Sequence, residues 1–317
     1  MKLKIIHVKK TNLARAPDEL RNVQTIYGKY DYVLCIDSNN SKRRIEDELK
    51  KTDQDTKVIL HYHNVYVDIP SIPKSMKVIH YHSEPQRIKK ITDECGTKLV
   101  LNQYHCTLDF YKECDYIVPN TFDVNNITPK WEKPLFSPSH IKIVYIPSIT
   151  NSVNKYFDKG YDKTVKILNQ IKNKYKEKVN VVIKSNIPYQ DSIKEKVRAH
   201  IVIDECVTGS FHKTSIEGLS YGCLVFAFIS DKLIQKHMEK YGKVIPVCNV
   251  PIEQLQNELG SWIERGKDEI EKEAIKRWEE FKEMWSPEKA VQEFDHIYEK
   301  ICQQNNINLD ELLTKLH

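Results

Sequence analysis

The chain has 317 residues, 40% of them hydrophobic and 29% charged. That excludes a disordered chain and suits one large domain or two of ordinary size. Lys and Arg number 49 against 44 Asp and Glu, a formal charge of +5, so no polyanion-coating surface is demanded. With nine glycines and neither G-x-G-x-x-G nor G-x-x-x-x-G-K-[ST], the dinucleotide and Walker fingerprints are excluded.

Met1–Val8 is too short for a signal h-region and reads as a first strand. Short β-branched apolar runs then predict strands at Tyr32–Ile36, Lys57–Tyr62, Lys77–His82, Leu99–Leu101 and Tyr116–Val118. Further strands are predicted at Ile141–Ile146, Val179–Lys184, Ala199–Ile203, Cys223–Ile229 and Val244–Val247. Between them Ile45–Lys50, Thr164–Lys176, Gln190–Arg198 and Asp231–Tyr241 carry helical patterns. Apolar strands alternating with helices imply parallel sheets covered on both faces. Pro134 and Pro138 in the aperiodic stretch 130–140 mark a boundary. Two α/β halves are therefore expected, 1–136 and 141–285. From Pro251 onward the chain reads as helical. Ser286 is the expected N-cap and Pro287 the first helical residue. Two final helices, Glu288–Cys302 and Leu309–Leu316, are expected to brace the halves.

None of the eight cysteines forms a C-x-x-C pair, and several lie in apolar runs. They read as buried free thiols of a reducing compartment, hence a cytoplasmic protein. No run approaches 18 apolar residues, so no membrane span is expected.

The most informative stretch is Ile201–Ile229. A strand leads through the polar loop Asp204–Lys213 into a short helix that Gly222 stops. Thr214-x-x-Glu217 has the spacing of a capping box. A helix start beyond the C-terminal end of a strand suits a phosphate. A second strand–loop–helix runs from Ile141 through Ser148 and Lys159-Gly160 to Thr164. In the first half, His61-Tyr62-His63 and His80-Tyr81-His82 end strands. Residues i and i+2 share a face, so each pair has metal-ligand geometry. No further Cys or His lies at compact spacing, and no metal site is expected. One member of each pair is expected to pack in the sheet and the other to end in solvent. Asp53-Gln54-Asp55 precedes a strand rather than following one and reads as a solvated turn.

The string Ser215-Ile216-Glu217-Gly218-Leu219…Tyr221-Gly222-Cys223-Leu224-Val225 resembles the donor-nucleotide segment of GT-B glycosyltransferases of the group 1 (GT4-like) kind. Lys159-Gly160 resembles the pair that opens the first helix of their nucleotide domain. Val78–Arg87 is similar to their acceptor-side strand and loop. The resemblance implies two Rossmann-like domains facing across a cleft, the first binding acceptor and the second binding nucleotide sugar. It implies transfer of a hexose (EC 2.4) from a nucleotide sugar, most simply a UDP-sugar, to an acceptor hydroxyl, with retention. The acceptor would be a saccharide or cell-envelope glycan. No tightly bound cofactor and no obligatory metal are implied.

On this resemblance the donor is held by Ser148, Lys159, Lys184, Gly209, Ser210, His212, Thr214, Ser215 and Glu217. Glu217 takes the ribose hydroxyls, as an acceptor-only carboxylate suits two donors. Lys159 meets the diphosphate and, with His82, is assigned to catalysis. His63, Ser83, Glu84 and Arg87 are assigned to the acceptor. The sequence departs from the family at Gly209, where many retaining members carry a glutamate, and at Ser83-Glu84. It also lacks the usual arginine before Lys159, for which Lys155 or Lys184 stands in. Two alternatives remain open. One is a phage-type DNA glycosyltransferase acting on a hydroxymethylated base, with Lys42-Arg43-Arg44 and Arg87–Lys90 as its basic runs. The other is a non-catalytic nucleotide- or glycan-binding module on the same scaffold.

Overall fold

The computed structural model describes residues 2–10, 13–36, 41–83, 88, 90–127, 129, 140–147 and 159–314. The chain divides into two compact units, Met1–Asp123 with Ser286–His317, and Val124–Trp285. Of the stretch 130–140 in which the boundary was expected, residues 130–139 lie outside the described residues.

The first unit is built on β1 (Leu3–Lys9), β2 (Asp31–Ile36), β3 (Lys57–His63), β4 (Lys77–Tyr81), β5 (Thr97–Leu101) and β6 (Tyr116–Val118). They form one parallel sheet in the order β2-β1-β3-β4-β5-β6. Every residue of β1 is buried, as expected of a central strand covered on both faces. Its two lysines place their ammonium groups at the rim, Lys4 beside Glu48 at 3.2 Å and Lys9 beside Asp18 at 2.5 Å. On one face α1 (Ala16–Tyr27) supplies Leu20 and Val23. The C-terminal helix α9 (Pro287–Thr314) adds Val291, Phe294, Ile297 and Tyr298, all packing with Ile5, Ile59, Val78 and Leu99. The other face buries Ile6, Val8, Leu60, Tyr62, Ile79 and Tyr81, with Ile45 of α2 (Ser41–Lys50).

The second unit carries β7 (Ile141–Tyr145), β8 (Val179–Ile183), β9 (Ile201–Ile203), β10 (Leu224–Ala227) and β11 (Cys248–Asn249). This sheet is also parallel, in the order β11-β10-β9-β7-β8. Its helices are α3 (Tyr161–Tyr175), α4 (Tyr189–Val197), α5 (Lys213–Ser220), α6 (Asp231–Tyr241), α7 (Leu255–Arg265) and α8 (Lys267–Met284). Ile143, Tyr145, Leu168, Ile201, Phe226, Leu255 and Leu259 lie in one core.

Two expectations differ from the structure. The last strand is Cys248–Asn249 rather than Val244–Val247. Pro246 has no N–H to give to a ladder, so pairing with Phe226 and Ala227 starts only beyond it. The two expected terminal helices are one, Pro287–Thr314. Residues 303–308 contain no proline or glycine, and three asparagines alone do not end a helix. Ser286 caps it as expected, its hydroxyl accepting from the N–H of Lys289 at 3.2 Å.

Among the described residues Cys95, Cys206, Cys223, Cys248 and Cys302 are buried and Cys106 and Cys114 half-buried, none of them in a disulfide. Burial pushes the thiols of Cys95, Cys114 and Cys248 up to about 12. Among the described residues no helix is long and apolar enough to cross a membrane.

Candidate functional site

In the second unit β9 runs into the loop 204–212, which delivers the chain to the start of α5. Two buried carboxylates shape this loop. Asp204 Oδ2 accepts from the His212 N–H and from the Ser215 hydroxyl, both at 2.6 Å. Glu205 Oε2 accepts from the N–H groups of Val207 at 2.9 Å and Thr208 at 2.8 Å, and Oε1 from the Thr208 hydroxyl. Burial acts to raise the Asp204 pKa. The His212 ring, Lys159 and the Ser215 hydroxyl outweigh it and hold the carboxyl at about 2.

Two glycines close the arrangement. Gly209 has φ +80°, and a Cβ there would stand 2.9 Å from Ser230 Cβ; its carbonyl accepts from the Ser230 N–H at 3.0 Å. Gly160 has φ +70°, and a Cβ there would stand 2.5 Å from Val207 Cγ2. The Lys159-Gly160 turn therefore lies directly against the loop, with the Lys159 charge acting on Asp204. Lys159, the Gly209 turn and the start of α5 thus meet at the C-terminal edge of the second sheet, the edge at which open α/β sheets bind ligands.

The capping box is not formed. The N-cap of α5 is His212, with no side-chain cap of its own. Asp204 does that work from eight residues upstream. Glu217 does not reach back to Thr214. Its Oε2 accepts from Lys196 Nζ at 2.5 Å, the two side chains being 2% and 4% exposed. Its Oε1 is buried without a hydrogen-bond partner among the described residues. An ammonium on α4 competes better for a buried carboxylate than a backbone amide does.

Of the other donor-side assignments, Thr214 lies half-buried in the first turn of α5, where helix N–H groups have no carbonyl behind them. His212 is half-buried with Nδ1 3.6 Å from Asp204 Oδ1. Ser215 is turned inward, its hydroxyl on Asp204 and its N–H on the His212 carbonyl at 3.0 Å. Ser210 is fully buried and its hydroxyl donates to the Phe211 carbonyl at 3.0 Å. Lys184 is exposed at the end of β8 and pairs with Glu195 at 2.6 Å. Ser148 and Lys155 lie outside the described residues.

In the first unit the expected split of each His-x-His pair between sheet and solvent does not occur. His61 and His63 are fully buried, His80 is 1% exposed and His82 is half-buried. The parallel register sets His7 beside His61 and His63 beside His80. Five rings therefore gather on one face, with His7 Nδ1 3.0 Å from His63 Nε2 and His63 Nδ1 2.8 Å from His82 Nε2. His82 is held further by its N–H, which donates to Asn64 Oδ1 at 2.7 Å. Burial is the main cause that lowers the pKa of all five, His7 and His82 to about 3. His63 is enclosed and has no surface to offer an acceptor. Ser83 is buried, its hydroxyl accepting from Asn64 Nδ2 at 2.6 Å and its carbonyl from the Tyr111 hydroxyl. Glu84 and Arg87 lie outside the described residues. Asp53 and Asp55 are exposed and pair with Lys2 at 3.6 and 3.0 Å.

Sequence reasoning missed Asp204, Glu205, Lys196 and His7 as parts of these arrangements. Asp204 and Glu205 had one legible signal, two acids directly after a strand and ahead of a small-polar loop. His7 and Lys196 had none, because strand register and helix packing bring them in.

No family model matches the chain, and no curated protein matches it. Solved structures do. A glycosyltransferase from Rickettsia africae is similar over 95% of this chain and 99% of its own, at 14% identity and a TM-score of 0.57. The Anabaena protein HepE, solved with UDP-glucose, is similar over 94% of this chain and 99% of its own, at 12% identity and a TM-score of 0.55. TarM is similar over 91% of this chain and 58% of its own, at 11% identity and a TM-score of 0.50. The chain has the two-domain Rossmann-like GT-B fold of these proteins.

Proposed function

We propose that the chain transfers a hexose from a nucleotide sugar, a UDP-sugar, to a hydroxyl of a saccharide or cell-envelope glycan, with retention, as a group 1 type enzyme. The observation that carries the reading is the convergence of Lys159, the Gly209 turn and the start of α5 at the C-terminal edge of the second sheet. An ammonium and first-turn helix N–H groups suit a diphosphate. They act most strongly on the leaving diphosphate, where charge develops during transfer. Lys159 and Thr214 are assigned to the phosphates and His212 to the sugar or phosphate. Glu217 Oε1, buried without a partner among the described residues, takes the ribose hydroxyls, which are the donors it lacks. Asp204, Glu205 and Ser215 position the loop rather than touch the donor. That HepE was solved with UDP-glucose supports the choice of nucleotide.

The test is a thermal-shift panel of UDP, GDP, ADP, CMP and their sugars. A ligand that binds only the folded chain raises its midpoint. A selective shift with UDP and a UDP-sugar, at least about tenfold weaker in Lys159→Ala, is expected from loss of about 1.4 kcal/mol or more. Glu217→Gln is the second variant, since it keeps a hydrogen-bonding group against Lys196. No shift with any nucleotide overturns the assignment. NMR of the sugar released or transferred then reads the anomer, and an inverted anomer rejects retention.

A further inference from the structure

The five-histidine cluster at the C-terminal ends of β1, β3 and β4 is used by none of the donor-side assignments. Three strands build it. Alternate residues of a strand share a face, so His61 with His63 and His80 with His82 point the same way. The register then adds His7 beside His61. His80 is 1% exposed, yet neither of its ring nitrogens has a hydrogen-bond partner among the described residues. His82 Nδ1 and His61 Nε2 are likewise buried and unpartnered. Such groups are costly to enclose, and a ring nitrogen left bare inside a protein calls for an occupant.

We propose that His63, His80 and His82 bind a divalent transition-metal ion of the Zn2+ class, and that His7 holds His63 in the ligating orientation. One ligand atom from each of the three lies within 4.8 Å of the others. Ligands at about 2.0–2.1 Å from a tetrahedral ion stand about 3.3 Å apart. The set therefore closes on an ion by small side-chain rotations. Neutral imidazole is the ligating form. Imidazole ligands without carboxylates select Zn2+, Cu2+, Ni2+ or Co2+ over Mg2+ and Ca2+. With Nδ1 of His63 on the ion, its Nε2–H donates to His7 Nδ1, 3.0 Å away. That is the outer-sphere hydrogen bond that fixes tautomer and ring angle in histidine metal sites.

His63 also belongs to a second candidate triad with His7 and His61. The outer triad is preferred for two reasons. His82 is half-buried and gives an ion a way in, whereas His7 and His61 are fully enclosed. His61 Nδ1 is also already engaged with the Tyr298 hydroxyl at 2.7 Å. The proposal does not depend on the sugar-transfer reading.

The experiment uses the full chain, stripped with EDTA, loaded with ZnCl2 or CoCl2 and passed over a desalting column. Elemental analysis is expected to find about one metal per chain. The Co2+ form is expected to show visible d–d bands of a nitrogen-ligated ion. His80→Asn and His82→Asn are expected to abolish retention, and His7→Gln to weaken it about 10- to 100-fold. His61→Asn and the exposed His296→Asn should retain the metal. Loss in His61→Asn with retention in His82→Asn moves the ion to the inner triad and overturns the assignment. Absence of retained metal and of Co2+ bands in the unsubstituted chain overturns the proposal, whatever the variants do to folding.

Discussion

Single side chains in the second unit act through groups far away in sequence, and their substitutions separate packing from binding. Lys196 and Glu217 form a buried pair. Removing one partner strands the other charge, so Glu217→Ala is expected to lower stability by about 3–5 kcal/mol. The double variant Lys196→Met/Glu217→Leu is expected to recover most of it, since an apolar pair of similar volume is often neutral. Urea unfolding of the three proteins checks this, and a single variant as stable as the parent would show the pair is not enclosed. Asp204→Ala removes the acceptor for the His212 N–H and the Ser215 hydroxyl. It is expected to reduce stability by about 1–3 kcal/mol and to weaken nucleotide binding with it. Gly209→Ala meets both a positive φ and Ser230 Cβ at 2.9 Å, and is expected to destabilise by about 1–3 kcal/mol. Each is read by the same urea titration.

At the scale of elements, the C-terminal edge of the first sheet is a pH-sensitive seam. Its histidines are neutral when folded, His7 and His82 with pKa near 3 against an ordinary value of 6.5. The unfolded chain takes up protons at the ordinary value. The stability these rings contribute is therefore complete above about pH 6.5 and is lost as pH falls toward 3, by up to about 1.4 kcal/mol per pH unit for each ring. In EDTA, the urea midpoint of the first unit is expected to fall steeply between pH 7 and pH 5. A flat profile across that range would mean that the rings are hydrated or charged in the folded chain. Element boundaries also show where local reading works. Pro287 and Ser286 announce the start of α9, because capping and a fixed φ are local. The joining of Glu288–Cys302 to Leu309–Leu316 was not legible, because the absence of a breaker is a weaker signal than its presence.

At the scale of the whole molecule, the first unit is discontinuous and the second is not. Val291, Phe294, Ile297 and Tyr298 of α9 complete a core begun by β1, β3 and β4. Truncation after Trp285 uncovers that face, so the first unit is expected to lose protease resistance while 124–285 keeps it. Limited proteolysis followed by mass spectrometry reads the difference; equal resistance of both units would show that α9 is dispensable.

What the sequence determined by itself is the alternation of apolar strands and helices, and hence two parallel sheets, since period and β-branching are properties of a few adjacent residues. Lys159, Gly160 and Gly209 were singled out only through a family resemblance; that both glycines take a positive φ is a finding of the structure. Tertiary structure alone decided which partners the polar groups take. Thr214-x-x-Glu217 has the spacing of a capping box, yet a lysine 21 residues upstream claims the carboxylate because α4 packs beside α5. Two His-x-His pairs looked half-solvated, and strand register made them one enclosed cluster with His7. Hydrogen bonds and ion pairs are short-ranged in space and indifferent to separation along the chain, so their partners become known only once the sheets are assembled.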